Sequence, residues 1–484
     1  MIEVHVEATP LSRLSALLSP ERAHRLRTSA DRAREAFGDR VVWHVSATAT
    51  GGGVAEMLQT LLAYGRGAQI ENRWLVLDGN PEFFVITKRL HNMLHGAPGD
   101  GGPVGEAEDL TYRAVLQANL EQIVSRVSPR DIVLLHDPQT AGLAEGLRAT
   151  GAHVVWRCHV GRDVPNDLTE AAWAFLRPHL EHAEAFVFSR REYAPSWAAD
   201  GRLVVIPPSI DPFSAKNMPL APDAVGSVLA AAGLVSGGGP RTSVHFQRRD
   251  GSTGVVRDHA AGGSSLVLDG SPPPFEAPLV VQVSRWDRLK DMAGVMSGFA
   301  RAVADGAPGD THLLLVGPAV TGVTDDPEGA AVLADCRAGW RALADDVRAR
   351  VHLASIPVED VDENAIIVNA VQRHARVVVQ KSLVEGFGLT VTEAMWKGRP
   401  VLASKVGGIQ DQIADGRDGL LVDDPEDEVA FALALARLLA DPLLAERLGA
   451  AAHDRVLEQF LGDRHLEQYA DLFAGLVAAA PEGS

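Results

Sequence analysis

The chain has little cysteine, little lysine and no long apolar run. Its two cysteines, Cys158 and Cys336, cannot build a disulfide framework. No apolar stretch reaches the roughly 18 residues of a membrane span, and the opening MIEVHVEATP lacks a basic region followed by an apolar one. The expected location is therefore cytoplasmic, away from any membrane. A net charge of −18 excludes a basic face for nucleic acid, because binding a phosphate backbone requires one. Lysine occurs only at Lys88, Lys216, Lys290, Lys381, Lys397 and Lys405, so any anionic ligand must be held by a few local cations.

With 484 residues, 46% of them hydrophobic and 22% charged, the chain has more than one core's worth of soluble globular sequence, and two domains are expected. Residues 1 to 40 form an arm with an amphipathic helix near Ser19 to Phe37. From Val41 onward short buried strands alternate with amphipathic helices, the pattern of doubly wound α/β layers. Strands are expected at 41–47, 73–78, 131–137, 153–159, 185–189 and 203–208, then at 279–284, 312–317, 351–356, 377–380, 400–404 and 419–422. Between the two sets, residues 211–275 are rich in glycine and proline. They are read as a linker with a hairpin turning at Asp250-Gly251. The expected domains are 1–210 and 276–454, with residues 455–484 packing back on the first.

The stretch KSLVEGFGLTVTEAMWKGRP, starting at Lys381, carries the clearest chemistry. A strand feeds a loop containing Gly386, Phe387 and Gly388, and a helix follows from about Thr390 to Gly398. Unpaired N–H groups and the positive end of the helix dipole make an anion site there, framed by Glu385 and Glu393. A carboxylate accepts two hydrogen bonds from a sugar diol, so phosphate and diol recognition side by side suit a nucleotide sugar. Taken alone, such a string is more often helix capping and solvated charge. Arg285 and Lys290 follow another strand and could neutralise a diphosphate, or could pair with Asp287 and Asp291 at the surface. The glycines at 51 to 53 lie at a strand end but fit neither a Walker loop nor a dinucleotide fingerprint. His91 and His95 have zinc-ligand spacing without the general-base glutamate between them, and Asp360-Val361-Asp362 matches a metal-binding triplet only as a string.

Glu385 and Glu393 have the spacing of the E-x7-E signature, and the chain resembles the retaining GT-B glycosyltransferases of family four. Within that family it is similar to the branch that transfers glucose from a nucleotide sugar to free glucose. The similarity runs through GGGVAEML, FFVITKRLHNMLHG, LLHDPQT, VVWRCHVGRD, VQVSRWDRLKD and QKSLVEGFGLTVTEAMWKGRPVLA, and so covers both domains. The 211–278 segment is longer and more glycine-rich than the family leads one to expect.

The resemblance implies two Rossmann-like domains facing each other across a cleft, with the last helix crossing back to the N-terminal one. It also implies retaining, metal-independent transfer that forms α,α-trehalose, with UDP-, ADP- or GDP-glucose as donor and glucose as acceptor. Another small sugar or a cyclitol as acceptor, and a sugar-nucleotide-binding protein without turnover, are the alternatives. His159, Arg285, Lys290 and Glu385 would be catalytic. Gly52, Gly53, Phe387, Gly388, Leu389 and Glu393 would bind the donor, and Asp137, Trp156 and Lys381 the acceptor. No cofactor or metal is implied, and a homodimer is allowed but not required. Two fixed cations and a helix N-terminus at the phosphates make a divalent ion unnecessary. Activity is accordingly expected to survive exhaustive EDTA treatment. Loss on chelation with recovery on Mg²⁺ or Mn²⁺ would return Asp360 and Asp362 to consideration.

Overall fold

Runs of four to six β-branched and aliphatic residues become parallel strands because helices cover both faces of their sheets. The computed structural model describes residues 1–49, 52–198, 201–241, 244–248, 251–261, 266–306, 308–320 and 328–479. Gly51 and Asp250, both singled out in the sequence, lie outside the described residues. The chain divides into two compact units, Met1–Ile210 with Phe460–Ser484, and Asp211–Gln459.

The first unit holds β1 (Ile2–Val4), β2 (Val42–Ser46), β3 (Asn72–Val76), β4 (Ile132–His136), β5 (His153–Cys158), β6 (Ala185–Phe188) and β7 (Leu203–Val205). They run in the order β1-β3-β2-β4-β5-β6-β7, with only β1 antiparallel to its neighbour. Strand alternation sends Trp43, Val45, Val133, Leu135, Val154 and Trp156 into one buried cluster. Val42, Ile132, Leu134, Val155 and Val187 go into another, which also takes Tyr469 and Phe473 from the helix Gly462–Ala479. The same alternation puts His44, His136 and Arg157 on the side of that helix. The helix at Pro20–Phe37 packs there too, pinned by a bidentate ion pair from Arg22 to Asp463 with N···O distances of 2.7 to 3.0 Å.

The second unit holds β8 (Val244–Gln247), β9 (Thr253–Val256), β10 (Val267–Asp269), β11 (Leu279–Val283), β12 (His312–Pro318), β13 (Val351–Ile356), β14 (Val377–Gln380), β15 (Val401–Ser404) and β16 (Leu420–Val422). Its sheet runs β10-β13-β12-β11-β14-β15-β16. The parallel strands thus follow the 3-2-1-4-5-6 order of a dinucleotide-type fold, with a switch point between β11 and β14 where successive connections leave in opposite directions.

Residues 211–275, read from the sequence as linker and hairpin, are built into this second unit. Strands β8 and β9 pair as a hairpin, and the helix Pro222–Ala232, buried along most of its length, packs on the helix Val361–His374. β10 adds an antiparallel edge strand. Glycine and proline at the ends of these short elements hide their apolar faces from a composition reading. Asp360 caps the helix Val361–His374 through the N–H of Glu363 and pairs with Arg248, which gives it a structural role.

Phe473 is 4% exposed, its ring 6.2 Å from Phe37 and 5.4 Å from Tyr469. Phe473→Ala is expected to cost the first unit about 3–5 kcal/mol, read as a lowered urea midpoint. An unchanged midpoint would show that the last helix is not part of the unit's cooperative core.

Candidate functional site

At the switch point of the second unit the loops after β11 and β14 are tied to one another. The side chain of Gln282, wholly buried, donates to the carbonyl of Lys290 at 2.7 Å and accepts from the N–H of Lys381 at 3.0 Å. The N–H of Leu383 donates to the carbonyl of Leu289 at 2.8 Å. Lys290 Nζ therefore meets Glu385 Oε2 at 2.6 Å, and Ser382 Oγ donates to the same oxygen at 3.1 Å. Arg285 stands nearby in the chain at the end of β11, paired with Asp287 at 3.3 Å and far more exposed.

Gly388 caps the helix Leu389–Trp396 with φ of 83° and ψ of 57°, a left-handed conformation that disfavours a side chain. A Cβ there would also crowd Ile409 at 3.1 Å and Glu385 at 3.2 Å. The residues Phe387, Gly388 and Leu389 thus begin a helix whose first N–H groups lie beside Glu385. Glu393, on the same helix and 3% exposed, faces Lys216 at 3.6 Å. Lys397, one turn further on, donates to Asn217 Oδ1, Gln372 Oε1 and the carbonyl of Glu393. Burial pulls its pKa down to about 7.

In the first unit, Gly52 and Gly53 are exposed at the start of the helix Gly52–Gly67, which follows β2. Asp137 ends β4 with φ of 64° and ψ of 176°, a backbone conformation costly for any residue but glycine. It is held there by its N–H on the carbonyl of Arg157, by Trp156 Nε1 on its own carbonyl at 3.0 Å, and by its carboxylate accepting from the N–H of His159 at 2.7 Å. Burial raises the Asp137 carboxyl to about 7.

Next to it, three stacked imidazoles form a row. His44 Nδ1 lies 3.2 Å from His136 Nε2, and His136 Nδ1 lies 3.1 Å from His159 Nε2. Burial takes His44 down to about 3 and holds His136 and His159 well below the ordinary histidine range, with Arg157 adding to all three shifts. His159 is thus a neutral imidazole at pH 7.

The structure therefore gathers Lys290, Glu385, Phe387, Gly388, Leu389 and Glu393 in the second unit, with Arg285 at the same strand end, and Asp137 and His159 in the first. Two expected acceptor residues need correcting. Lys381 is 2% exposed and committed to Asp291 and the carbonyl of Pro425 within the second unit, so no free ammonium remains for a sugar. Trp156 is wholly buried between Trp173 and Phe188, and its indole N–H serves the Asp137 carbonyl. His95 donates its ring N–H to the carbonyl of Gly161, and no metal-ligand cluster occurs among the described residues. Sequence reading missed Gln282 and Ser382, as neutral residues in apolar or loop runs. It also missed Lys216, which sits in a segment taken for linker.

Lys290 and Glu385 are both largely buried, so Lys290→Ala leaves a carboxylate out of water without its cation. The exposed Arg285 leaves no such vacancy. Either substitution to alanine is expected to slow turnover by about 10² to 10³. Only Lys290→Ala should also lower stability, by about 3 kcal/mol, with Arg285→Ala within about 0.5 kcal/mol of the parent. Near-normal turnover in either purified variant would return that cation to the role of surface ion pair.

Comparison with known proteins gives the family. Residues 44–195 match the family model described as trehalose synthase, N-terminal domain, and residues 362–455 match glycosyl transferases group 1. A trehalose synthase of Pyrococcus horikoshii is 35% identical over 90% of this chain and 89% of its own length. One from Rubrobacter xylanophilus is 35% identical over 91% of each. Among solved structures, the trehalose-6-phosphate protein of E. coli bound with UDP-2-fluoro glucose superposes with a TM-score of 0.64 at 15% identity, covering 91% of this chain and 99% of that one. Sucrose-phosphate synthase of Thermosynechococcus elongatus gives 0.61 at 19%, covering 91% and 100%. These last two speak to the fold. Family matches in each unit and a third of the residues shared along nine-tenths of the chain lead to one conclusion: the chain belongs to the trehalose synthase family of GT-B glycosyltransferases.

Proposed function

We propose that the protein is a retaining, metal-independent glucosyltransferase that moves glucose from a nucleotide-glucose to free glucose, giving α,α-trehalose. The observation that carries this reading is the Lys290–Glu385 pair at the switch point, on a chain related along both units to proteins named trehalose synthase. Glu393 takes the ribose hydroxyls, and the N–H groups of Phe387, Gly388 and Leu389 take the diphosphate or sugar. Gly52 and Gly53 add N–H groups to donor binding. Glu385 binds hydroxyls of the donor glucose, and Lys290 with Arg285 stabilises the departing diphosphate.

The bond from the donor anomeric carbon to the diphosphate oxygen breaks, and a bond to the anomeric hydroxyl oxygen of the acceptor glucose forms on the same face. The hydroxyl proton passes to a phosphate oxygen of the leaving group, so no protein nucleophile is needed. His159, kept neutral by burial and Arg157, lies against the cation-like centre without adding positive charge. Asp137 contacts the acceptor. Electrostatic stabilisation of the leaving group supplies most of the acceleration.

The product tests this directly. NMR of the reaction of ¹³C-glucose donors carrying different bases with unlabelled glucose is expected to show α,α-trehalose labelled in one ring, with one nucleoside diphosphate released per disaccharide. Hydrolysis alone, or another linkage, would leave the family and remove the assignment of the acceptor.

A further inference from the structure

The loops at the carboxyl edge of the second sheet account for Lys290 and Glu385; its amino edge carries a separate cavity of about 380 Å³. The segments entering β11, β12, β14 and β15 enclose it, with Phe275, Glu276, Thr311, His374, Arg376 and Arg399 in its lining. Three polar atoms of that lining, Thr311 Oγ1, His374 Nε2 and Arg399 Nε, are buried without a hydrogen-bond partner among the described residues. Thr311 is wholly buried. Buried polar groups are nearly always satisfied in folded proteins, and three left over beside one cavity mark a place where partners come from outside the chain.

The charge points the same way. In a protein of net charge −18, Arg376 and Arg399 lie together with no ion pair among the described residues. Arg399 spends one N–H on the carbonyl of Ala375 at 3.3 Å, which fixes the guanidinium in place. His374 is held by the ring of Phe275, stacked at 4.3 Å. Two guanidinium forks and a hydroxyl are groups that recognise a phosphate, and the neutral imidazole nitrogen of His374 can accept from a ligand hydroxyl. The one carboxylate of the lining, Glu276, is exposed at the rim, where it can accept from hydroxyls. The cavity is also larger than an inorganic phosphate.

We infer that this amino-edge cavity binds a phosphate monoester of a sugar or small polyol, its phosphate on Arg376 and Arg399 and its hydroxyls toward Glu276. The site is independent of the donor site, and the inference stands whatever the acceptor of the transfer reaction is.

Calorimetric titration of the whole protein with glucose 6-phosphate, and separately with inorganic phosphate, tests it. Glucose 6-phosphate is expected to bind the parent and Lys290→Gln with the same affinity, and to bind Arg376→Gln/Arg399→Gln at least about tenfold more weakly. Inorganic phosphate should bind more weakly than the ester. If the double variant does not fold, Arg376→Gln and Thr311→Val, which disturb less, should each still weaken binding severalfold. No heat at millimolar ester, or binding lost in Lys290→Gln and kept in the amino-edge variants, would overturn the assignment.

Discussion

The candidate-site loops of the second unit are tied together by a buried amide. Gln282 is the next-to-last residue of β11 and reaches both loops, accepting from the backbone of Lys381 and donating to that of Lys290. Together with the backbone bond from Leu383 to Leu289, it holds in register two loops whose connections leave adjacent strands in opposite directions. With the amide in place, a cation from one and a carboxylate from the other meet at hydrogen-bond distance. Asp291 and Lys381 repeat the connection one layer down as a buried pair. Placement of this kind lets an enzyme stabilise charge without reorganising at the moment of reaction.

The first unit achieves its geometry by strand alternation and one strained residue. Period-two placement brings His44, His136 and Arg157 to a single face, and burial there keeps the imidazoles neutral. Asp137 adopts a conformation that costs of order 1–3 kcal/mol and persists only because its neighbours over-determine it. Trp156, Thr140 and the His159 backbone do so. Strain concentrated at the end of a strand beside a switch point is characteristic of functional positions.

Much of this was legible in the sequence. Each run read as a strand forms one, because parallel strands buried on both faces are near-continuous apolar runs. The glycine loop with its two glutamates was legible as a strand–loop–helix unit, because the left-handed turn at Gly388 restricts residue type there. What stayed hidden has physical causes. β1 and β10 are three residues long and antiparallel, too short to carry a period. The helix Pro222–Ala232 is apolar nearly all round and sits among glycines, so it reads as composition rather than as an amphipathic face. Lys381 and Trp156 are of the right residue types and near the right motifs, but a sequence does not state which side chain a neighbouring aspartate or carbonyl has already claimed.

The two short antiparallel strands share a position: each lies outside the outermost parallel strand on one side of its sheet, β1 beside β3 and β10 beside β13. A parallel edge of five or six apolar residues is a template for strands from other chains. Covering it with three residues leaves an edge too short to recruit one, and reversing the direction makes the outer row a poor match for a second copy's parallel strand. A short reversed strand therefore guards one edge of each sheet against edge-to-edge pairing.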